Sequence, residues 1–108
     1  MAVSPEFRDY LLEMLEPLGP VEARRMFGGA GLYLDGTIFA LVAGDVLYFK
    51  VDADNRADYE AAGMGPFKPW EDKPMQMPYW EVPADVLEDS GELCVWARKA
   101  WGAGRRSD

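Results

Sequence analysis

The sequence predicts an α+β domain of two layers, in which helices pack on a five-stranded antiparallel sheet. Asp35-Gly36 lies between two apolar runs, and this dipeptide is typical of a type I′ hairpin because both central residues take positive φ. Ala43-Gly44-Asp45 separates the next two apolar runs and indicates a second hairpin. Apolar residues recur every three or four positions from Phe7 to Leu18, as on one face of a helix. The predicted order of elements is therefore α-β-β-β-β-α-β-α.

The first half of the chain predicts one helix and four strands. Ser4 is expected to cap the helix, with Pro5 at its first position, and Gly19-Pro20 is expected to end it. The strands are expected at 21–27, 31–34, 37–42 and 46–50, and Gly28-Gly29 is expected to turn the chain between the first two.

The second half predicts short elements around a long loop. Asp52 or Asp54 is expected to cap a helix over 56–62, which Gly63 ends. Residues 63–78 form a loop rich in glycine, proline and aromatic residues, which either binds a partner or covers the edge of the sheet. A fifth strand at 79–82 is expected at a sheet edge because proline flanks it on both sides.

The last part of the chain is expected to be one helical turn at 83–87 followed by a final helix. Asp89 or Ser90 caps this helix, and it is expected to extend through Trp101. Residues 102–108 are expected to be a flexible tail, so that the whole of 1–108 is a single domain.

Composition limits the classes of function. With 108 residues and 49% hydrophobic side chains, the chain has enough material for a core of its own. The single cysteine, Cys94, cannot form an internal disulfide, and no leader or membrane-length apolar run is recognised, so we expect a cytoplasmic protein without membrane contact. The net charge of −8 argues against direct binding to nucleic acid, because that binding depends on Lys and Arg.

The residue types that usually carry catalysis are scarce. The chain has no histidine, which removes the commonest general base and the usual transition-metal ligand. Asp52-Ala53-Asp54 resembles the start of a calcium loop, but Ala57 and Gly63 stand where an EF-hand needs Gly and Glu. Cys94 has no partner in the pattern. We therefore expect a protein that is not an enzyme and that needs no metal or cofactor.

The third and fourth strands are apolar at both alternating sets of positions, which predicts that both faces of the sheet are covered. Either the long loop or a second copy of the chain is expected to cover the second face. Cations near the strands either pair with acids such as Glu22 or form a binding site with aromatic side chains. The candidate binding residues are Arg24, Arg25, Lys50, Phe67, Trp70, Tyr79 and Trp80.

Several motifs in order resemble the N-terminal domain of the TfoX/Sxy competence regulators. They are Arg24-Arg25-Met26-Phe27-Gly28-Gly29, Gly31-Leu32-Tyr33-Leu34-Asp35-Gly36, Leu47-Tyr48-Phe49-Lys50-Val51-Asp52, Gly65-Pro66-Phe67, Met77-Pro78-Tyr79-Trp80-Glu81-Val82-Pro83 and Trp96-Ala97-Arg98-Lys99-Ala100. The resemblance implies a secretion-chaperone-like α+β fold and a role in regulating DNA uptake with the transcription machinery. It brings no catalytic residues. Two-domain relatives carry a further helical domain, and we expect a stand-alone domain here.

These observations lead to one main hypothesis and two alternatives. The main hypothesis is a non-enzymatic regulatory or adaptor domain that contacts another protein, either a second copy of itself as a homodimer or a transcription-associated protein. The first alternative is a small-molecule or anion-binding module that uses Arg24 or Arg25 together with Lys50. The second is direct DNA binding, which the charge disfavours.

Overall fold

The computed structural model describes residues 4–26, 29–67 and 78–107. The described residues form four helices and five strands in the predicted order, and the helical turn expected at 83–87 is one of these helices. The elements are α1 (Pro5–Met14), a 3₁₀ turn (Glu16–Leu18), β1 (Glu22–Met26), β2 (Gly29–Leu34), β3 (Thr37–Ala43), β4 (Val46–Lys50), α2 (Arg56–Ala61), β5 (Tyr79–Glu81), α3 (Ala84–Leu87) and α4 (Ser90–Arg106).

The sheet is an antiparallel meander in the order β1-β2-β3-β4-β5, so β3 is its central strand. Both predicted hairpins are confirmed. Asp35 and Gly36 have φ of 52° and 79°, and Gly44 and Asp45 have φ of 57° and 58°. Positive φ at both central residues is the type I′ geometry, whose twist matches that of the strands it joins.

All four helices lie on one face of the sheet, which we call the helix face; the opposite face is called the outer face. The core between the two layers contains Leu11 and Leu15 before β1, Phe39 and Phe49 from the sheet, and Leu93 from α4. The rings of Phe39 and Phe49 have their centroids 6.0 Å apart. Ser4 caps α1 as predicted, because its hydroxyl accepts a hydrogen bond from the Phe7 amide at 3.2 Å.

A β-bulge in β3 changes which side chains face the core. Leu32 pairs with Ala40 and the next residue, Tyr33, pairs with Ile38, so Phe39 is the extra residue. A bulge lets two successive side chains point to the same side of a sheet. Phe39 and Ala40 are both fully buried, whereas Ile38 is only half-buried. Simple alternation along this strand would place Ile38 and Ala40 on the same side, and the bulge separates them.

Helix α4 ends at Arg106, five residues later than predicted, and residues 102–106 are not a tail. The reason is a close approach of its backbone to the sheet. A Cβ atom placed on Gly104 would lie 2.5 Å from the carbonyl oxygen of Ile38. The indole of Trp101 donates a hydrogen bond to the carbonyl oxygen of Leu34 at 2.9 Å. These contacts attach the end of α4 to β2 and β3.

The loop before α2 is organised by Asn55 rather than by the predicted aspartates. Asn55 is 2% exposed and occupies the N-cap position without a side-chain capping bond. Its side-chain oxygen accepts a hydrogen bond from the Asp52 amide at 2.8 Å, and its side-chain nitrogen donates to the Lys50 carbonyl at 3.0 Å. The prediction that Asp52 or Asp54 caps this helix is wrong, because Asn55 holds the chain as it leaves β4.

Residues 65–67 lie along the free edge of β5. Phe67 donates its amide to the Tyr79 carbonyl at 2.7 Å, and Glu81 donates to the Gly65 carbonyl at 3.2 Å. Strand β5 is an edge strand of the sheet, as predicted, but this short pairing occupies part of its free edge. The remaining edge strand, β1, has exposed charged side chains, which discourage pairing with another strand.

Candidate functional site

The outer face of the sheet carries most of the candidate residues and two rows of side chains. The first row follows the register across all five strands: Arg24, Gly31, Leu41, Tyr48 and Glu81. The second row contains Glu22, Tyr33 and Ile38 on one side and Lys50 with Tyr79 on the other. Each row has one acid and one cation, which lie toward opposite edges of the sheet.

Arg24 lies over the aromatic ring of Tyr33 and pairs with an acid on its own strand. Its guanidinium carbon is 4.7 Å from the ring centroid, and one guanidinium nitrogen is 3.0 Å from a carboxylate oxygen of Glu22. The side chains of Arg24 and Glu22 are 60% and 67% exposed. Such exposed pairs contribute little to stability, so both charges remain available to a partner.

Lys50 and Tyr79 form a similar contact near the other edge. The ammonium nitrogen of Lys50 lies 5.1 Å from the centroid of the Tyr79 ring. Tyr79 is 6% exposed, and burial, with a smaller effect from Tyr33, raises the pKa of its hydroxyl above the usual 10.0. The buried Tyr79 ring thus supports Lys50 from below and leaves the ammonium group as the polar feature at this edge.

Phe67 joins the same face at the start of the long loop. The ring centroids of Phe67 and Tyr48 are 4.5 Å apart, in a tilted arrangement. Burial raises the pKa of the Tyr48 hydroxyl, and the negative charge of Glu81 raises it further. Within the described residues, Phe67 is thus the part of the loop that lies against this face.

The other candidate residues do not share this position. Arg25 is opposite Ala30 of the core, so its side chain leaves the sheet on the helix face, at the rim. Trp80 is opposite Phe49 and also points to the helix face, with its ring 6.3 Å from that of Tyr59. Trp70 lies outside the described residues. The sheet therefore brings together Arg24, Lys50, Phe67 and Tyr79, whereas Arg25 and Trp80 belong to the opposite side.

The two cations of the outer face do not converge on a small ligand. Arg24 is on β1 and Lys50 is on β4, three strands away. Neighbouring strands are about 4.8 Å apart, so the two strands are separated by roughly 14 Å. A surface of this width, with charges near its edges and apolar residues between them, fits a macromolecular contact better than a pocket for a small molecule.

A second feature lies on the helix side, between α4 and the loop before α2. This open cleft has a volume of about 450 Å³ and is lined by Asp54, Asn55, Val95, Arg98, Lys99, Gly102 and Arg106. Arg106 donates to Asp52 at 2.8 Å and contacts Asp54 at 3.4 Å, while Lys99 pairs with Asp58 at 2.9 Å. The hydrogen bond from Arg106 is the main cause that lowers the pKa of Asp52.

Sequence reasoning did not find this cleft, because the paired residues are far apart in the chain. Asp52 and Arg106 are 54 positions apart, so no local spacing relates them. The thiol of Cys94 is buried and lies 3.5 Å from the Met14 carbonyl oxygen. In the part of the chain that the structure describes, no group of three or more Cys, Asp or Glu side chains is arranged to hold a metal ion.

Comparison with protein families identifies the family of the chain. Residues 13–104 match the family model of the TfoX N-terminal domain, which spans nearly the whole chain. No curated protein matches the sequence. Among the described helices, none combines the length and the apolar character needed to cross a membrane.

Proposed function

The chain belongs to the TfoX N-terminal domain family, and we propose that it is a competence-regulator-like domain that acts by contacting another protein. In this proposal it catalyses no reaction and works in the cytoplasm, where its partner is a second copy of itself or a transcription-associated protein. The observation that carries the proposal is the outer face of the sheet, where Ile38, Leu41 and Tyr48 are half-buried although no described helix packs on them.

The chemistry of the outer face supports a protein partner. Protein interfaces have an apolar and aromatic centre with a polar rim, and tyrosine and arginine are enriched in them. Here Leu41 and Tyr48 lie in the middle of the first row, and Arg24 and Glu81 lie at its two ends. The half-buried ring of Tyr33, under the Arg24 guanidinium, adds amphipathic surface next to these charges.

The charge of the chain supports a protein partner over DNA. A net charge of −8 repels a phosphate backbone, and of the four cations in the second half of α4, Lys99 and Arg106 are already paired with aspartates. A DNA-binding surface needs several cations free to replace the counterions of the phosphates. This distribution of charges agrees better with a domain that regulates genes by contacting a second protein, and that second protein binds the DNA.

A deletion strain of the host tests the proposal. Complementation with the wild-type gene is expected to restore DNA uptake, and complementation with Leu41→Glu is expected to fail, because a charge is placed at the centre of the outer face. Ala84→Glu is the control, since Ala84 is exposed on α3, away from this face and outside the lining of the cleft beside α4. Unchanged uptake in the deletion strain, or full complementation by Leu41→Glu, contradicts the proposal.

The cleft beside α4 favours one alternative, the binding of a small anion. Its volume of about 450 Å³ is in the range of ligand sites, and Arg98, Lys99 and Arg106 line it. A thermal-shift screen with nucleotides and phosphorylated metabolites separates this alternative from the main proposal, because a specific ligand raises the melting temperature. Arg98→Ala is expected to remove such a shift, and Arg24→Ala is expected to leave it unchanged.

A further inference from the structure

We propose that the outer face is covered by a second copy of this chain, packed sheet against sheet about a twofold axis that runs parallel to β3. This inference rests on the proposed function, because it names the partner of the same surface. Three features of the outer face favour a second copy: the order of charges along its two rows, its charge balance and its apolar centre.

The first row places opposite charges on the two edge strands. Arg24 of β1 pairs in register with Gly31, Gly31 with Leu41, Leu41 with Tyr48, and Tyr48 with Glu81 of β5. The ends of this row are therefore a guanidinium and a carboxylate at the same level along the strands. The second row has the reverse order, with Glu22 on β1 and Lys50 on β4.

A twofold axis parallel to the central strand brings these unlike charges together. The rotation places β1 of one copy over β5 of the other, and β2 over β4, because β3 is in the middle of the sheet. Arg24 of each copy then faces Glu81 of the other copy, and Glu22 lies near Lys50 of the other copy. A twofold contact is isologous, so each of these pairings occurs twice. Aligned packing of two twisted sheets at about 30° is a common geometry.

The residues nearest the axis are apolar. Leu41 is opposite Gly31 and Tyr48 within the row, so the axis passes close to its side chain and brings Leu41 of the two copies together. Gly31 adds no bulk, and the side chains of Met26, Tyr33 and Ile38 lie over it: a Cβ atom there would be 3.3, 3.2 and 3.0 Å from their atoms. The face is thus closely packed around Gly31, and toward β4 the ring of Phe67 lies against Tyr48, so that the second copy contacts Phe67 there.

The balance of charge favours a second copy on this face. The chain carries −8, so most pairs of surfaces from two copies repel each other. The paired residues of the described strands place two acids, Glu22 and Glu81, and two cations, Arg24 and Lys50, on the outer face, so these four charges sum to zero. Contact through this face therefore adds little to the repulsion between the two chains, and the order of the rows places unlike charges opposite each other.

The size of the face predicts a reversible dimer. Four strand spacings of about 4.8 Å give a sheet roughly 19 Å wide. A stable interface buries about 800 Å² on each partner. A sheet of this width buries that area only if the side chains at its rim also take part in the contact. The dimer is therefore expected to dissociate at low protein concentration, and the ion pairs at the rim are expected to weaken as salt increases.

Sedimentation velocity over a wide range of protein concentration tests the inference on the full chain. The wild type is expected to change from monomer to dimer as the concentration rises. Arg24→Glu and Glu81→Arg each place like charges opposite one another, and each is expected to weaken dimerisation on the order of tenfold. The double variant Arg24→Glu/Glu81→Arg restores unlike charges across the axis and is expected to dimerise within a few fold of the wild type.

Two further variants serve as controls. Arg25→Glu makes the same change of charge at the neighbouring residue, which points to the helix face, and it is expected to leave dimerisation unchanged. Leu41→Glu is expected to give a monomer; circular dichroism shows whether each variant is folded. If Leu41→Glu does not fold, the charge-exchange series still decides, because all of its positions are exposed at the rim.

The outcomes separate this inference from the proposed function. A wild type that stays monomeric at every concentration overturns the inference, and so does a double variant that is no better than the single ones. In that case DNA uptake that still depends on Leu41 leaves the proposed function intact, with another protein as the partner. The opposite result is also informative. If the double variant restores dimerisation but Leu41→Glu complements the deletion strain fully, the inference is supported and the proposed function is contradicted.

Discussion

Tyr59 is the largest fully buried side chain of the described residues, and its hydroxyl has no hydrogen-bond partner among them. The ring packs edge-on against Trp96, with centroids 4.8 Å apart, and lies 6.3 Å from Trp80. The aromatic contacts stabilise the position of α2, whereas a buried hydroxyl without a partner costs about 1–3 kcal/mol. The ring of Tyr59 therefore stabilises the fold, whereas its hydroxyl destabilises it.

Tyr59→Phe keeps the ring and removes the unpaired hydroxyl. We expect the free energy of unfolding to stay the same or to rise by up to about 2 kcal/mol, measured by urea denaturation. Tyr59→Ala, which also removes the ring, is expected to lower it by about 3–5 kcal/mol. A loss of more than about 1 kcal/mol in Tyr59→Phe is inconsistent with an unpaired hydroxyl, because it means that the group has a partner.

The same hydroxyl predicts a loss of stability at alkaline pH. Burial is the main cause that raises the pKa of Tyr59 above its usual 10.0, and the charge of Asp58 adds to it. Above pH 10 the unfolded chain releases this proton while the folded chain keeps it, so stability falls as pH rises. One proton corresponds to a slope of about 1.4 kcal/mol per pH unit. Between about pH 10 and 11.5, the free energy of unfolding of the wild type is expected to fall more steeply with pH than that of Tyr59→Phe, with a difference in slope of up to about 1.4 kcal/mol per pH unit. Equal slopes in the two proteins contradict this prediction.

At the scale of elements, the backbone of α4 closely approaches the backbone of β3 at Gly104. The bulge at Phe39 turns two successive side chains into the core, and the adjacent Ile38 carbonyl faces Gly104 of α4. A larger residue at position 104 has no space, because the obstacle is backbone rather than a flexible side chain. The close approach at Gly104 explains why a glycine occurs inside a helix, where it is normally unfavourable.

Two glycine substitutions in α4 test this contact. Gly104→Ala is expected to lower the free energy of unfolding by about 1–3 kcal/mol, because the new methyl group overlaps the Ile38 carbonyl. Gly91→Ala is the matched control: the nearest atom to its Cβ is Asp89 Oδ1 at 3.4 Å, an ordinary contact. Alanine is the better helix former, so the control is expected to be neutral or to gain up to about 1 kcal/mol. Equal effects of the two substitutions in thermal or urea unfolding contradict the close approach.

Local signals predicted most of the elements. Asp35-Gly36 and Ser4-Pro5 each specify a backbone geometry within a few residues, and both are confirmed. The bulge at Phe39, the extension of α4 to Arg106 and the loop around Asn55 depend on contacts between residues distant in the sequence. Of the candidate residues, the structure brings Arg24, Lys50, Phe67 and Tyr79 to one face. Alternation along a strand already sends neighbours such as Arg24 and Arg25 to opposite faces, but which of the two lies on the outer face depends on the register with the next strand, which no local pattern gives.

At the scale of the whole molecule, the two faces of the sheet have different roles. The helix face is closed by α1 and α4 over a core that includes Phe39, Phe49 and Leu93. The outer face has half-buried apolar residues in its centre and balanced charges at its edges, on a chain whose net charge is −8. A surface of this composition is expected to be covered in the working protein, and we infer that contact through it is the function of the domain.

Site-specific photo-crosslinking measures this contact most directly. A photoreactive amino acid is placed at position 41, in the centre of the outer face, or at position 95, on the exposed side of α4, and the protein is irradiated in its host cell. The outer-face position is expected to give one dominant crosslinked product, whose mass identifies a second copy or another protein, and position 95 is expected to give none. A product at position 95 with none at position 41 contradicts contact through the sheet.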